Sequence, residues 1–166
     1  MSRWLSAAGF SALLVAIVGA QGQSPGLSPA DQARLYQRNK QLVRAAVESS
    51  LELSEKKADF NGYLDRADIC TNLAKRWAAE VESAAKSNDL SRTKEMTGLL
   101  DRVIDLGVAA NIKMARQGVE VGSQNEKDLF LRRDAAIKLL KPLEAIEPAR
   151  PSVQASIEKL EGAAKK

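Results

Sequence analysis

The stretch 63-YLDRADICTNLAKRWAAEVESA-84 decides how the chain folds. Tyr63, Ala67, Cys70, Ala74, Trp77, Val81 and Ala84 recur at steps of four and three. Asp65, Arg66, Asp68, Asn72, Lys75, Arg76, Glu80 and Glu82 fill the positions between them. That spacing predicts one helix with a single buried seam and a charged outer face. Trp77 is the largest group on the seam and its expected core anchor. The three alanines let neighbouring helices approach closely around it.

Working outward, the rest of the chain reads the same way. Of 166 residues, 45% are hydrophobic, enough to bury a core, and only 4% are aromatic. Gly and Pro are sparse between Leu27 and Gln117, where Ala, Leu, Lys, Glu and Arg abound, and these residues lose little on entering a helix. Ser28-Pro29-Ala30-Asp31 starts a first helix, from about Pro29 to Lys57. Its seam is Leu35, Asn39, Leu42, Ala46, Ser49 and Leu53, widened by Tyr36, Val43 and Val47. Asn39 either fixes register inside the seam or lies at its solvated margin. Asp59-Phe60-Asn61-Gly62 opens the second helix, which runs to about Ser87. Asn88, in the left-handed conformation, and Asp89, as a cap, form the next break. So short a connection predicts antiparallel neighbours.

A third helix is expected from about Leu90 to Val121. Its seam is Leu100, Val103, Gly107, Ala110, Met114, Gln117 and Val121, broadened by Leu99, Ile104 and Leu106. Gly107 among core positions predicts a close helix crossing. Ser123 and Glu126 match a capping box ahead of a fourth helix carrying Leu129, Phe130, Ala136, Ile137 and Leu140. Pro142 should end or kink that helix. Residues 147–151 read as a stiff Pro-containing linker, Ser152 as the cap of a short helix, and Gly162 to Lys166 as a loose basic tail. Val153, Ile157 and Leu160 share one face of the short helix, which either docks on the bundle or frays, and are the candidate partner-docking residues. The expected fold is therefore all-α: an up-and-down antiparallel bundle of three to four long helices over residues 29–146, plus a short amphipathic C-terminal helix.

At the other end, residues 1–20 have the form of an export signal. Arg3 gives the positive start, Ala7 to Val18 the short apolar core, and Val18-Gly19-Ala20 a small-residue cleavage site. Residues 21–28 are a Gly/Pro/Ser/Gln linker. The expected location is periplasmic or extracellular, with no stable membrane span once the signal is cut; the alternative is an uncleaved N-terminal anchor.

Function is read mostly by exclusion. There is no His and a single Cys, so Ser/His/Asp and Cys/His nucleophilic sites and tetrahedral zinc sites lack their parts. Cys70, on a seam, reads as a buried small hydrophobe. The net charge of +4 arises from 25 basic and 21 acidic residues interleaved along the chain, which argues against a nucleic-acid surface. No Gly-rich phosphate loop occurs. Arg132-Arg133 is a small basic cluster. Asp65 with Asp68, and Asp101 with Asp105, place carboxylates on single helix faces, where they either bind a divalent metal or pair with Arg66, Arg102 and lysines.

Residues 66–96, RADICTNLAKRWAAEVESAAKSNDLSRTKEM, carry an R-A-x-x-C-x-x-L-A run and a K-x-N/D break between two long helices. In these features the chain resembles a class of uncharacterised exported bacterial helical proteins. The resemblance implies a helical fold and no activity. The expectation is a non-enzymatic, exported bundle without cofactor, working through a protein partner or self-association. The alternatives are a periplasmic chaperone or stress accessory, and a carboxylate-based metal- or small-ligand-binding bundle.

Overall fold

The computed structural model of the chain describes residues 28–165; the expected export signal, nearly all of the expected linker after it and Lys166 lie outside them. The described chain is an all-α helical bundle protein. Its helices are α1 (Pro29–Glu55), α2 (Phe60–Lys86), α3 (Leu90–Arg102), α4 (Ala110–Arg116), α5 (Gln124–Leu140) and α6 (Arg150–Ala163). A π-helical segment, Val103–Ala109, joins α3 to α4, and a 3-10 segment, Lys141–Ala145, follows α5. The described residues fall into two compact units, one holding α1 to residue 54 and the other running from residue 55 onward.

Local chemistry sets the helix boundaries where the sequence placed them. The Ser28 hydroxyl accepts from the Asp31 amide at 3.2 Å and donates to the Asp31 carboxylate at 2.6 Å. Asp59 caps α2 by accepting from the Gly62 amide at 2.8 Å. Gly62 is required there, since a Cβ would collide with the Lys57 carbonyl. Asn88 takes φ +55° and Asp89 accepts from the Arg92 amide at 3.0 Å, so α2 closes and α3 opens within three residues. The tight turn makes α2 and the α3–α4 rod antiparallel neighbours that pack along their length.

The α2 seam is the core of the larger unit. Ala67, Cys70, Ala74, Trp77, Val81 and Ala84 are all buried, and Tyr63 is half-buried at the open end. Trp77 is fully buried. Leu100, Val103, Ile104, Val108 and Ile112 face the same core from the opposing rod. Gly107 sits against Cys70, and a Cβ on it would lie 2.7 Å from the Cys70 Sγ and 2.9 Å from its Cβ. The buried threonine hydroxyls bond locally: Thr71 donates to the Ala67 carbonyl, Thr93 to Asp89 and Thr97 to Thr93, all within 2.8 Å.

The third helix departs from its expected seam. Ala110, Met114, Gln117 and Val121 are exposed, and Ile112, Ala115, Arg116 and Val119 are buried instead. The π-helical turn is the cause. It adds a residue to one turn, so every position beyond it rotates by about 100° relative to an uninterrupted α-helix. Leu106, expected to broaden the seam, is carried outward and is 55% exposed. The Asn111 side-chain amide donates to the Gly107 carbonyl at 2.6 Å, an added bond where the widened turn loosens the backbone ladder. The helix also ends earlier than expected, at Arg116, and Gly118 and Gly122 continue the chain at φ +82° and +80°.

The C-terminal segment needs a larger correction. Neither a stiff linker nor a loose tail is found among the described residues. Arg150 and Pro151 already belong to α6, Pro151 occupies its first turn, and Ser152 lies within the helix and not at its cap. Ala149 and Ala164 are buried at its two ends. The helix packs on α5, the π segment, the 3-10 segment and the α3–α4 rod. Val153 and Leu160 are buried and Ile157 is half-buried, so the face expected to meet a partner is consumed inside the fold.

Candidate functional site

Beneath the loop joining α4 to α5 lies a charge that composition alone does not reveal. Arg116 is the last residue of α4, and the π turn rotates it inward. Its Nη2 donates to Glu126 Oε1 at 2.8 Å, its Nη1 to the Val119 carbonyl at 3.0 Å, and its Nε to the Ala164 carbonyl at 3.1 Å. Glu126 Oε2 accepts from the Gly122 amide at 2.6 Å. The Ser123 hydroxyl accepts from the Glu126 amide at 3.2 Å, as the capping box predicts, but the Glu126 carboxylate reaches Gly122 and Arg116 rather than the Ser123 amide. With both side chains about nine-tenths buried and these bonds in place, the pair is a structural clamp on the loop and chain end, closed to ligands.

The acidic candidates are occupied in the same way. Asp65 pairs with Lys56 at 3.4 Å and Asp68 with Arg132 at 3.4 Å. Asp101 accepts from the Ser156 hydroxyl at 2.7 Å, and Lys159 lies 3.5 Å from Asp101 and 3.0 Å from Asp105. The hydrogen bond to Asp105 raises the Lys159 pKa above its usual value. Asp68, Asp101 and Asp105 tie α5 and α6 to the core; Lys56 and Lys159 are among the expected lysines, and Arg132 and Ser156 stand where Arg66 and Arg102 were expected. No cluster of three metal-ligating side chains occurs among the described residues. In the basic cluster, Arg133 lies over the Phe130 ring at 4.5 Å and pairs with Asp134 at 2.7 Å. Burial pushes the Cys70 thiol up to about 12, against a weaker pull from Arg66. That removes its thiolate at neutral pH.

An open groove of about 500 Å³ lies where the α2–α3 turn faces the 3-10 segment, lined by Ala85, Leu90, Ile146 and Pro148, with Glu82, Lys86 and Glu147 also on its walls. Its charges carry both signs, and nothing in it selects a ligand.

The remaining surface of note is on α1. Only Leu42, Ala45 and Ala46 are buried among its 27 residues. At about 100° per residue, Tyr36, Val43, Val47 and Leu51 fall within roughly 80° of one another, on a different side from those three. Tyr36 is 54%, Val47 40% and Leu51 64% exposed. Tyr36 and Val47 were expected inside the seam, and both are exposed. The charges of the helix are also sorted. Past Asp31 in the first turn, Arg34, Arg38, Lys40 and Arg44 follow one another without an acid between them, and Glu48, Glu52 and Glu55 occupy the second part without a base. Interleaving, true of the chain as a whole, fails here. The signal was present in the sequence as two apolar stripes on one helix, which a single wide seam obscured.

No family model matches the chain, and neither a curated protein nor a solved structure is similar to it.

Proposed function

We propose that the protein is an exported, non-enzymatic interaction module in which the larger unit is a scaffold and α1 presents the recognition face. The observation that carries this reading is the exposed stripe of Tyr36, Val47 and Leu51 on α1. Apolar side chains aligned on one charged helix face are the usual signature of a helix that docks onto another surface. Export rests on Arg3, the apolar run Ala7 to Val18 and the Val18-Gly19-Ala20 site. No helix among the described residues is long and apolar enough to cross a membrane.

The reading is tested by immobilising the chain, as its expression host processes it, and presenting an envelope extract. A parallel column carries Tyr36→Asp/Leu51→Asp. The expected result is a specific protein, or the chain itself, retained by the parent and lost by the variant. Equal retention by both would remove α1 from the interaction, and no retention by either would refute the module. Cell fractionation with mass determination is expected to find the chain outside the inner membrane beginning at Gln21. An intact N-terminus retained in the cytoplasm would refute export.

A further inference from the structure

From the order of charges along α1 we infer that its exposed stripe is covered by the same helix of a second copy, running antiparallel. The inference deepens the module reading and rests on it by naming the partner. On one side of the stripe, Lys40 and Arg44 come first and Glu48 and Glu55 follow, at about 20° to 100° from Val47, with Lys40 falling between Val47 and Leu51 on the stripe itself. A parallel pair would set this flank against the opposite one, where Gln32, Asn39 and Ser50 offer it no charge. An antiparallel pair centred near Ala45 sets Lys40 and Arg44 of one copy beside Glu48 of the other, and Val43 opposite Val47. Arg44 and Glu48 already bond at 2.8 Å within one helix, with side chains 80% and 51% exposed. Two such pairs meeting across the twofold axis make a closed ring of four alternating charges. Tyr36 and Leu51 then lie toward opposite ends of an apolar strip that Lys40 interrupts. A C2 contact of this kind is self-complementary and ends at two copies.

The test is sedimentation equilibrium of the full chain as processed by its host. A monomer–dimer equilibrium is expected below ~1 mM, with Val43→Asp/Val47→Asp monomeric throughout and of unchanged helical signal. Glu48→Lys/Glu55→Lys is expected to weaken the dimer at least ~10-fold. Adding Lys40→Glu/Arg44→Glu to the same chain is expected to restore it, because the order of charges is then reversed but still complementary. Spin labels on Gln37→Cys are expected ~25 Å apart, from eight residues either side of the axis at ~1.5 Å each. The buried Cys70 takes no label. A strict monomer, failure of the reversed chain to pair, or labels ~10 Å apart would each overturn the proposal. A monomer that still captures a different protein through Tyr36 and Leu51 would refute self-pairing and leave the module standing; a monomer that captures nothing would refute both.

Discussion

Replacing Gly107 with Ala tests the central crossing. The added Cβ would sit 2.7 Å from the Cys70 sulfur and 2.9 Å from the Cys70 Cβ. Both distances are about 1 Å inside ordinary van der Waals contact. The sulfur can turn away about χ1, but the Cβ is fixed to the α2 backbone, so the helices must separate. Overpacking of this kind costs roughly 1–3 kcal/mol. Against it stands the helical preference of Ala over Gly, about 1 kcal/mol. The clash wins, and the expected net loss is ~1–2 kcal/mol. Urea unfolding followed by far-UV circular dichroism reads it as a lower midpoint at unchanged slope. Repeating the substitution on a Cys70→Ala background removes the sulfur contact and leaves the Cβ contact. The penalty should then shrink by at least ~0.5 kcal/mol without vanishing. A Gly107→Ala chain stabilised by the full propensity gain would refute the close crossing. An equal penalty on both backgrounds would show that the sulfur is not what the new methyl meets.

Three further outcomes follow from the same packing. Trp77→Ala should cost ~3–5 kcal/mol, because the indole is fully buried at the α2 seam, and the denaturation midpoint reads it directly. Arg116→Leu should cost ~3–5 kcal/mol by leaving Glu126 buried without its cation, while Arg116→Leu/Glu126→Leu should recover part of that loss in the same assay. The Cys70 pKa stands at about 12 in the fold against an ordinary value of 9.0. Between those values the unfolded chain releases the thiol proton and the folded chain keeps it, so stability should fall as pH rises, by up to ~1.4 kcal/mol per pH unit. Cys70→Ala should flatten that slope in alkaline urea titrations.

Periodicity and capping chemistry made much of the architecture legible. The α2 seam is visible because Tyr63, Ala67, Cys70, Ala74, Trp77, Val81 and Ala84 share one period, and Ser28, Asp59, Asn88, Asp89 and Ser123 announce helix ends by side-chain chemistry. Four features were not legible, each for a physical reason. The π turn leaves no mark in composition, and a 3.6-residue period extended through Gly107 places Met114 and Val121 on the wrong side. The amphipathic face of Val153, Ile157 and Leu160 is real, but amphipathicity reports that a face is buried, not against what. Arg116 was unreadable because a buried arginine depends on carbonyls at Val119 and Ala164, contacts that no local pattern encodes. On α1, two stripes separated by angle were merged into one wide seam, which hid the exposed set.

The widened turn at Val103–Ala109 also bears on insertions and deletions. In an ordinary helix the loss of one residue turns everything downstream by about 100° and exchanges inside for outside. Here one residue is surplus to the α-helical count. Deleting Leu106, which points to solvent, should convert the segment to plain α-helix while Val108, Ile112, Ala115 and Val119 keep their places in the core. Deleting Leu99 or Ile112 instead should unfold the unit. The helix thus carries a single codon's worth of slack at one site, and chains shorter by one residue there would share this core with every other element in register.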